Sequence, residues 1–307
     1  MTDIHVPPPP ADPRPDGLPA TRPRKSPGQP RIPALAPLPA LTALALLAAA
    51  CAGSPALAAG YFGSGLSFAG EPVPLSQPEV YESMDQELLL ISEAKARVFL
   101  ALRRMPRTLP SVEAALRAQG VPDDFKYLPL TLTGLDPLYR SGPRRGIWRL
   151  NESEAGSMGL AVNKSIDERL DPVKSSEAAA VRLKSLYGLW GSWTAALAAF
   201  LDGPSLSAAA AESGGERDYY RLYVPDALDK AVCQVLAGKI LFADPSVYGY
   251  RPSRAWPRLA GSRSVLAEGG NMRELARRHG VDYKTFRDMN PHVLADSVPP
   301  GATVYVP

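Results

Sequence analysis

Three carboxylates near the middle of the chain are candidates for acid–base chemistry. Asp136 lies one helical turn after Leu132 in the stretch LPLTLTGLDP, and Glu152 and Glu154 follow a short loop. A carboxyl group held beside a reacting bond can act as a general acid or a general base. The same residue types also begin helices and turns, and Glu152 and Glu154 fit the first turn of a helix capped by Asn151. Both roles are open from the sequence.

Four arginines lie between these carboxylates: Arg140, Arg144, Arg145 and Arg149. Guanidinium groups bind carboxylates through paired hydrogen bonds, so the cluster fits a site for an acidic ligand. A solvated loop is the alternative interpretation. Trp148, beside the cluster, is either an aromatic platform for a sugar face or a core residue.

Composition narrows the classes of partner. The 307-residue chain has a formal charge of +3, which is mildly basic and well short of a nucleic-acid-binding footprint. His5, His279 and His292 are scattered without the spacing of metal ligands. Cys233 lies in a helical pattern as a small apolar residue, and no disulfide is predicted. We predict no nucleic-acid partner, no metal and no cofactor.

Residues 1–59 are predicted to be a proline-rich N-terminus followed by an export signal. The apolar run 41–52 has the length of a signal-peptide core and is too short for a membrane span, which needs about 20 apolar residues. Cys51 follows LAAA, a loose match to the lipoprotein cleavage motif of bacteria, whereas the ALA at 56–58 fits ordinary signal peptidase. We expect the periplasmic side of the bacterial envelope, with a lipidated Cys51 anchored in the outer membrane.

A helical domain is predicted over residues 78–250, after a linker rich in Gly, Ser and Pro at 60–77. One apolar stripe through residues 80–105 predicts a single long helix. Its glutamates, in the range Glu79–Glu93, are assigned to the solvated face. A second helix is expected to begin at Pro110, because proline is tolerated in the first turn.

Capping signals and composition divide the rest of the chain. Asp171, followed by proline, and Ser192 are predicted N-caps of two further helices. Residues 134–169 contain turns and few periodic runs, so we expect them to wall a cleft in an otherwise helical domain. A linker at 251–261 then leads to residues 262–307, which read as strand, helix, helix, strand.

This βααβ unit resembles a LysM domain, a module that binds N-acetylglucosamine chains in peptidoglycan or chitin. The likeness is carried by residues 269–276 at the glycine turn and the first helix, by the stretch MNP, and by the closing VPPGATVYVP. It implies a sugar-binding groove between the first strand-to-helix turn and the second helix. The residues implied in sugar contact are Gly270, Asn271, Met272 and Asn290.

Residues 79–250 resemble the catalytic domain of the membrane-bound lytic transglycosylase D family, lysozyme-like enzymes that cleave peptidoglycan. The stretch VPDDFKYLPLTLTGLDP is similar to the family's LPEELAYLPLVESGFNP. The run DERLDPVKSSEAAAVRLKSLYGLWGSWTAALAAF follows the family pattern almost residue for residue, and LYVP matches NYVP. The fold that this resemblance implies is a mainly α, lysozyme-like helical domain followed by the small βααβ LysM domain.

The same resemblance implies a catalytic glutamate at the position of Leu132. In the family, one glutamic acid protonates the glycosidic oxygen, and its carboxylate then accepts a proton from the muramic acid 6-hydroxyl. Leucine cannot carry that proton. The residues at 199–203 also lack the Tyr and Asn of the family's AYNAG motif, and Arg149 replaces a Gln. Substrate contacts are implied for Thr133, Trp148, Arg149, Phe200 and Tyr223.

We therefore predict a peptidoglycan-binding protein whose degenerate transglycosylase domain is catalytically impaired or inactive. One alternative is an active lytic transglycosylase or muramidase that uses a relocated carboxylate, namely Asp136, Glu152 or Glu154. Another is a modulator of a separate cell-wall hydrolase. Glycan strands of peptidoglycan are the expected partner in the first two cases, and a hydrolase in the third.

Overall fold

The computed structural model describes a mainly helical body and a small C-terminal unit that contains the longer strands. The predicted export signal and Cys51 lie outside the described residues. No helix within the described part is long and apolar enough to cross a membrane. The described residues are 62, 65–251, 254–257, 261–266 and 268–307.

The helical body contains two short hairpins and a set of α-helices around one apolar core. The hairpins pair β1 with β2 and β3 with β4, both antiparallel. Their bounds are β1 Ser67–Phe68, β2 Glu71–Pro72, β3 Arg140–Ser141 and β4 Arg144–Arg145. The helices are α1 Pro78–Glu93, α2 Lys95–Ala118, α3 Tyr127–Thr133, α4 Glu152–Ser157, α5 Pro172–Trp190, α6 Trp193–Glu212 and α7 Asp226–Ala243. Single 3-10 turns precede α3, α5 and α7, at Asp123–Lys126, Glu168–Leu170 and Tyr219–Arg221.

The first predicted helix is divided in the structure. The break falls at Ala94 (φ −78°, ψ 52°), and α2 then continues through Pro106 and Pro110 to its end at Ala118. The prediction of a new helix at Pro110 is therefore wrong. Proline removes a helical N–H donor, but it does not always end a helix when flanking residues pack. The apolar stripe concealed the break because α1 and α2 both place their apolar sides on the same core.

Glu87 also departs from the prediction of a solvated glutamate face on α1. Its side chain lies in the core-facing stripe and only 5% of the residue is exposed. Burial raises the pKa of the Glu87 carboxyl. Lys230 opposes that effect, whereas Asp229 and Asp226 add to it.

The linker predicted at 60–77 does not hold for residues 67–72. Phe68 is fully buried, with its ring centroid 5.0 Å from that of Phe125. The Glu71 carboxylate accepts hydrogen bonds from the backbone N–H groups of Trp193 at 2.6 Å and Thr194 at 2.9 Å. These contacts join parts of the chain that are far apart in sequence, so local composition gave no sign of them.

Part of the linker predicted at 251–261 is also packed. The N–H of Trp256 donates to the Arg103 carbonyl oxygen at 2.9 Å. The guanidinium groups of Arg104 and Arg107 lie 5.5 Å and 5.8 Å from the centre of the Trp256 ring. Residues 254–257 are thereby attached to α2.

The C-terminal unit has the predicted order of strand, helix, helix, strand, with one further strand pair. Its elements are β5 Ser262–Val265, β6 Gly270–Asn271, α8 Met272–Arg278, α9 Tyr283–Met289, β7 Ser297–Val298 and β8 Thr303–Val306. β5 pairs antiparallel with β8, and β6 pairs antiparallel with β7. The core of this unit is formed by Met272, Leu275, Ala276, Phe286, Val293, Val298, Val304, Val306 and one residue from the helical body, Ile166.

Contacts to the segment before α5 hold this unit on the helical body. Ile166 is 4% exposed and packs with the core of the unit. The Asp167 N–H donates to the His292 carbonyl oxygen at 2.8 Å. The Tyr305 hydroxyl lies 2.8 Å and 2.9 Å from the two carboxylate oxygens of Asp171, which is fully buried. The unit therefore shares core and hydrogen bonds with the body.

Candidate substrate cleft

A cleft of about 460 Å³ lies beside α3 in the helical body. Leu132 on α3 contributes hydrocarbon to its wall and is 6% exposed. The loop after β4 contributes Trp148 and Arg149, α4 contributes Glu154, and α6 contributes Phe200. The irregular segment predicted to wall a cleft does so.

Helix α3, which carries Leu132, is fixed at both its end and its side. It ends at Gly134, whose left-handed conformation (φ 60°) suits glycine. The Arg97 guanidinium donates to the carbonyl oxygens of Thr131 at 2.5 Å and Leu132 at 3.0 Å, so it satisfies the free end of the helix. A Cβ at Gly238 of α7 would overlap the Thr131 side chain, which shows how closely the two helices approach.

The loop that faces α3 is held by Gly146 and Thr133. A Cβ at Gly146 (φ 70°) would overlap the backbone carbonyl of Arg169, so only glycine fits there. The Thr133 hydroxyl lies 2.8 Å from the Pro129 carbonyl oxygen and 2.9 Å from that of Ile147. It donates to one or the other and is therefore engaged within the protein. Thr133 joins α3 to the loop, outside the lining of the cleft.

The aromatic residues of the cleft are mainly core residues. Trp148 is 3% exposed, and its indole N–H donates to the Ser176 hydroxyl at 2.9 Å. Its ring meets that of the half-buried Phe200 edge to face, with centroids 5.8 Å apart. Of the two interpretations of Trp148, these contacts favour core packing, and they leave little of the ring as a platform for a sugar.

Two of the three candidate acids lie away from the cleft. Asp136 forms an ion pair with Arg104 at 2.9 Å and accepts a hydrogen bond from the Leu138 N–H at 3.0 Å. Glu152 is exposed at the start of α4. Neither lines the cleft.

Glu154 does line the cleft, but its carboxylate is already engaged. It accepts from the Asn151 N–H at 2.8 Å, and the Asn151 side chain accepts from the Glu154 N–H at 2.8 Å. This is the capping box of α4. The same carboxylate forms an ion pair with Arg144 at 3.1 Å.

Two charged residues of the lining were missed from the sequence. Asp202 lies at a kink within α6 (φ −155°, ψ 80°) and accepts a hydrogen bond from the Ser205 hydroxyl at 2.7 Å. Arg182 reaches the lining from α5. The departure from the family motif at 199–203 was the only signal for Asp202, and no sequence signal marked Arg182.

The predicted arginine cluster is divided by the fold. Arg144 and Arg149 line the cleft, whereas Arg140 and Arg145 do not. The Arg145 guanidinium instead donates to the Gly142 carbonyl oxygen at 2.6 Å. The solvated-loop interpretation thus describes half of the cluster.

Tyr223 is separate from the other predicted contact residues. It is 90% exposed and lines a different groove, together with Tyr219 and Tyr220. The structure therefore does not bring Tyr223 to the cleft beside Leu132.

In the C-terminal unit, the four residues implied in sugar binding have mainly structural contacts. Gly270 pairs with β7, and the Asn271 side chain caps α8 by accepting from the backbone. Met272 is fully buried, and so is Asn290, whose side-chain amide hydrogen-bonds the backbone of Tyr305. Neither Met272 nor Asn290 exposes any surface that a sugar could contact.

The described part of the chain contains no group of three or more His, Cys, Asp or Glu side chains placed to hold a metal ion. Cys233 is buried in α7, and burial raises the pKa of its thiol, with Asp229 acting in the same direction. A thiol kept protonated in this way is a poor nucleophile.

Comparison with known proteins agrees with the resemblance of the helical body. Residues 131–222 match the family described as Transglycosylase SLT domain, and this range includes most of the cleft. Two proteins named membrane-bound lytic murein transglycosylase D, from Escherichia coli strain K12 and Escherichia coli O6:H1 strain CFT073, are each 22% identical to this chain over 246 residues. Those alignments cover 78% of this chain and 54% of each relative, so the chain spans about half the length of the relatives that it matches. The helical body is thus similar to the transglycosylase domain of lytic murein transglycosylases.

Proposed function

We propose that this protein binds peptidoglycan and has little or no lytic activity. The cleft of the helical body would hold the glycan, and the C-terminal unit would act as a LysM-like module that adds a second contact. The observation that carries the proposal is the hydrocarbon side chain of Leu132 in the cleft wall. The resemblance implies that the family's catalytic glutamate belongs at this position.

The lytic reaction needs a group that first donates and then accepts a proton at the scissile bond. Leu132 has no such group. The two carboxylates that line the cleft, Glu154 and Asp202, are hydrogen-bonded to protein groups. A positioned acid or base typically contributes about 10² to 10⁴ in rate, so its loss alone would leave a very slow enzyme.

Incubation of the purified protein with peptidoglycan sacculi tests both parts of the proposal. We expect the protein to sediment with the sacculi, and mass spectrometry of the soluble fraction to find no 1,6-anhydro muropeptides and no new reducing ends. Release of such products would contradict the non-lytic part. Protein that remains in the supernatant would contradict the binding part.

A working lytic enzyme is the second candidate, because Glu154 reaches the cleft. Glu154→Gln removes the ionisable group while a glutamine can still complete the capping box. Asn151→Ala is the matched control, since it breaks the cap of α4 but keeps the carboxylate. If products are released, their loss in Glu154→Gln and their persistence in Asn151→Ala would identify Glu154 as the acid. Asp136→Ala and Glu152→Ala should then have little effect.

We also propose that the chain is exported and anchored in the outer membrane through a lipidated Cys51. The similarity to proteins named membrane-bound lytic murein transglycosylases supports a place in the envelope. Labelled fatty acid should be incorporated into the wild-type chain and not into Cys51→Ala. A wild-type chain without label would contradict the anchor and favour cleavage at the ALA of 56–58.

The third hypothesis is a modulator of a separate cell-wall hydrolase. Co-purification of such a hydrolase with this protein would support it.

A further inference from the structure

Cationic side chains outnumber anionic ones in the cleft. Arg144, Arg149 and Arg182 line it, together with the two carboxylates of Glu154 and Asp202. Arg144 is paired with Glu154 at 3.1 Å. The other two arginines form no ion pair with any described residue. Three arginines against two carboxylates give the lining a net charge of +1.

The side chain of Arg149 has no acceptor within the described part of the chain. Its Nε is buried and makes no hydrogen bond, and its guanidinium lies 6.0 Å from the centre of the Tyr139 ring. A buried donor without an acceptor is energetically unfavourable. A ligand oxygen cannot reach this buried atom, but it can reach the terminal guanidinium nitrogens, which are not buried and have no acceptor among the described residues.

The backbone holds Arg149 in a conformation that arginine rarely adopts. Its φ is 53°, in the left-handed region. The Arg149 N–H donates to the Gly146 carbonyl oxygen at 3.1 Å, and its carbonyl accepts from the Arg144 guanidinium at 2.8 Å. Neighbouring residues thus fix the backbone of Arg149 before any ligand binds.

The remaining walls would strengthen an interaction with an anion. Leu132, Phe200 and Leu228 place apolar groups around the arginines. Charges attract more strongly beside apolar walls than in open water, because the surroundings screen them less. Arg182 approaches from α5, so the two free guanidinium groups come from different elements.

We infer that the cleft selects ligands that carry a carboxylate, which Arg149 and Arg182 bind, over neutral N-acetylglucosamine chains. This inference rests on the proposed function, and it makes the ligand an acidic saccharide or a muropeptide. Peptidoglycan offers such carboxylates from two sources: muramic lactyl groups freed of peptide, and the stem peptides themselves. Guanidinium groups bind both through paired hydrogen bonds.

Calorimetric titration of the full chain with three probes tests the inference. Chitotetraose is neutral, glycan strands freed of peptide carry lactyl carboxylates, and a disaccharide tetrapeptide carries peptide carboxylates. We expect at least one acidic probe to bind about tenfold or more tighter than chitotetraose, as hydrogen bonds to charged groups allow. The tighter of the two acidic probes identifies the source of the carboxylate.

Variants assign the preference to the cleft. The double variant Arg149→Gln with Arg182→Gln should lose the preference for the acidic probe and keep any binding of chitotetraose. Arg182→Gln alone should lose part of the preference for the acidic probe. Because Arg182 is exposed on α5, this variant remains informative even if the double variant folds poorly. Arg117→Gln, an exposed arginine outside the cleft, is the matched control and should bind as the wild type does.

Two results would overturn the inference. Equal affinity of the wild type for acidic and neutral probes is one, and an unchanged acidic preference in both arginine variants is the other. In either case sacculi would still sediment the protein, so the proposed function would survive. If neither the probes nor sacculi bind, the proposed function fails and the inference fails with it.

Discussion

A leucine at position 132 has opposite consequences for packing and for proton transfer. Leucine and glutamic acid have similar lengths, and at 6% exposure the leucine side chain packs where a carboxyl group would need solvation or a partner. A leucine at this position therefore suits the core of the helical body better than a glutamic acid would. Under the proposed function its effect on catalysis is the opposite, because a hydrocarbon cannot transfer a proton.

Glu87 gives a prediction for the pH dependence of stability. Its pKa is raised in the folded protein, first by burial, so folding disfavours the ionised form. This stabilisation is fully present below the ordinary value of 4.5 and is lost as the pH rises through the higher folded pKa. Glu87→Gln should therefore gain stability relative to the wild type as the pH rises through this range, as urea unfolding at several pH values will measure.

Glu82→Gln, an exposed change on the same helix, provides the control for Glu87→Gln. It should leave the pH dependence close to that of the wild type. A constant difference in stability between Glu87→Gln and the wild type across that pH range would show that Glu87 is not responsible.

At the scale of the elements, the N-terminus of α6 is stabilised in part by a hairpin that is far away in the sequence. Ser192 is its local cap and accepts from the Ala195 N–H at 3.1 Å. Glu71, on β2, adds a carboxylate that accepts from Trp193 and Thr194 at the same end. A negative charge there also interacts favourably with the dipole of the helix. The hairpin thus contributes to positioning α6, which carries Phe200 to the cleft.

Glu71→Gln should destabilise the protein by about 1 kcal/mol, because it removes the charge at the helix end while keeping one acceptor oxygen. Ser192→Ala should cost a similar amount, about 1 kcal/mol, through loss of the local cap. Urea unfolding measures both. Only Glu71→Gln should also increase proteolysis within residues 65–77. Equal proteolysis of the two variants would contradict a role of Glu71 in holding the hairpin.

For the described molecule as a whole, the contact between the C-terminal unit and the helical body is the main organising feature. Ile166 belongs to the core of the unit although it precedes α5 in the chain. Asp171 caps α5 through the backbone N–H of Val173 at 2.9 Å and also accepts from Tyr305. One carboxylate therefore serves both a helix of the body and a strand of the unit.

This arrangement predicts that changes in the shared contacts destabilise both parts. The four tryptophans all precede residue 262, so tryptophan fluorescence reports on the helical body. Ile166→Ala should cost about 2–4 kcal/mol by leaving a cavity. Tyr305→Phe should cost about 1–3 kcal/mol by leaving the buried Asp171 short of a donor. Both should lower the unfolding midpoint that tryptophan fluorescence measures.

Tyr283→Phe is the matched control, because its hydroxyl bonds Asp296 inside the C-terminal unit. It should move the fluorescence midpoint much less than Tyr305→Phe. If Ile166→Ala and Tyr305→Phe leave that midpoint unchanged, the unit and the body unfold independently.

The sequence by itself determined the helical class of the body, the N-caps at Asp171 and Ser192, the strand, helix, helix, strand order of residues 262–307, and the lack of a carboxyl group at position 132. These features depend on residues close together in the chain or on residue identity alone. Only the tertiary structure decided which charges share the cleft, that Glu87 is buried, that Glu71 caps α6, and that Ile166 completes the core of the C-terminal unit. Each of these depends on contacts between residues far apart in sequence, and neither periodicity nor composition records such contacts.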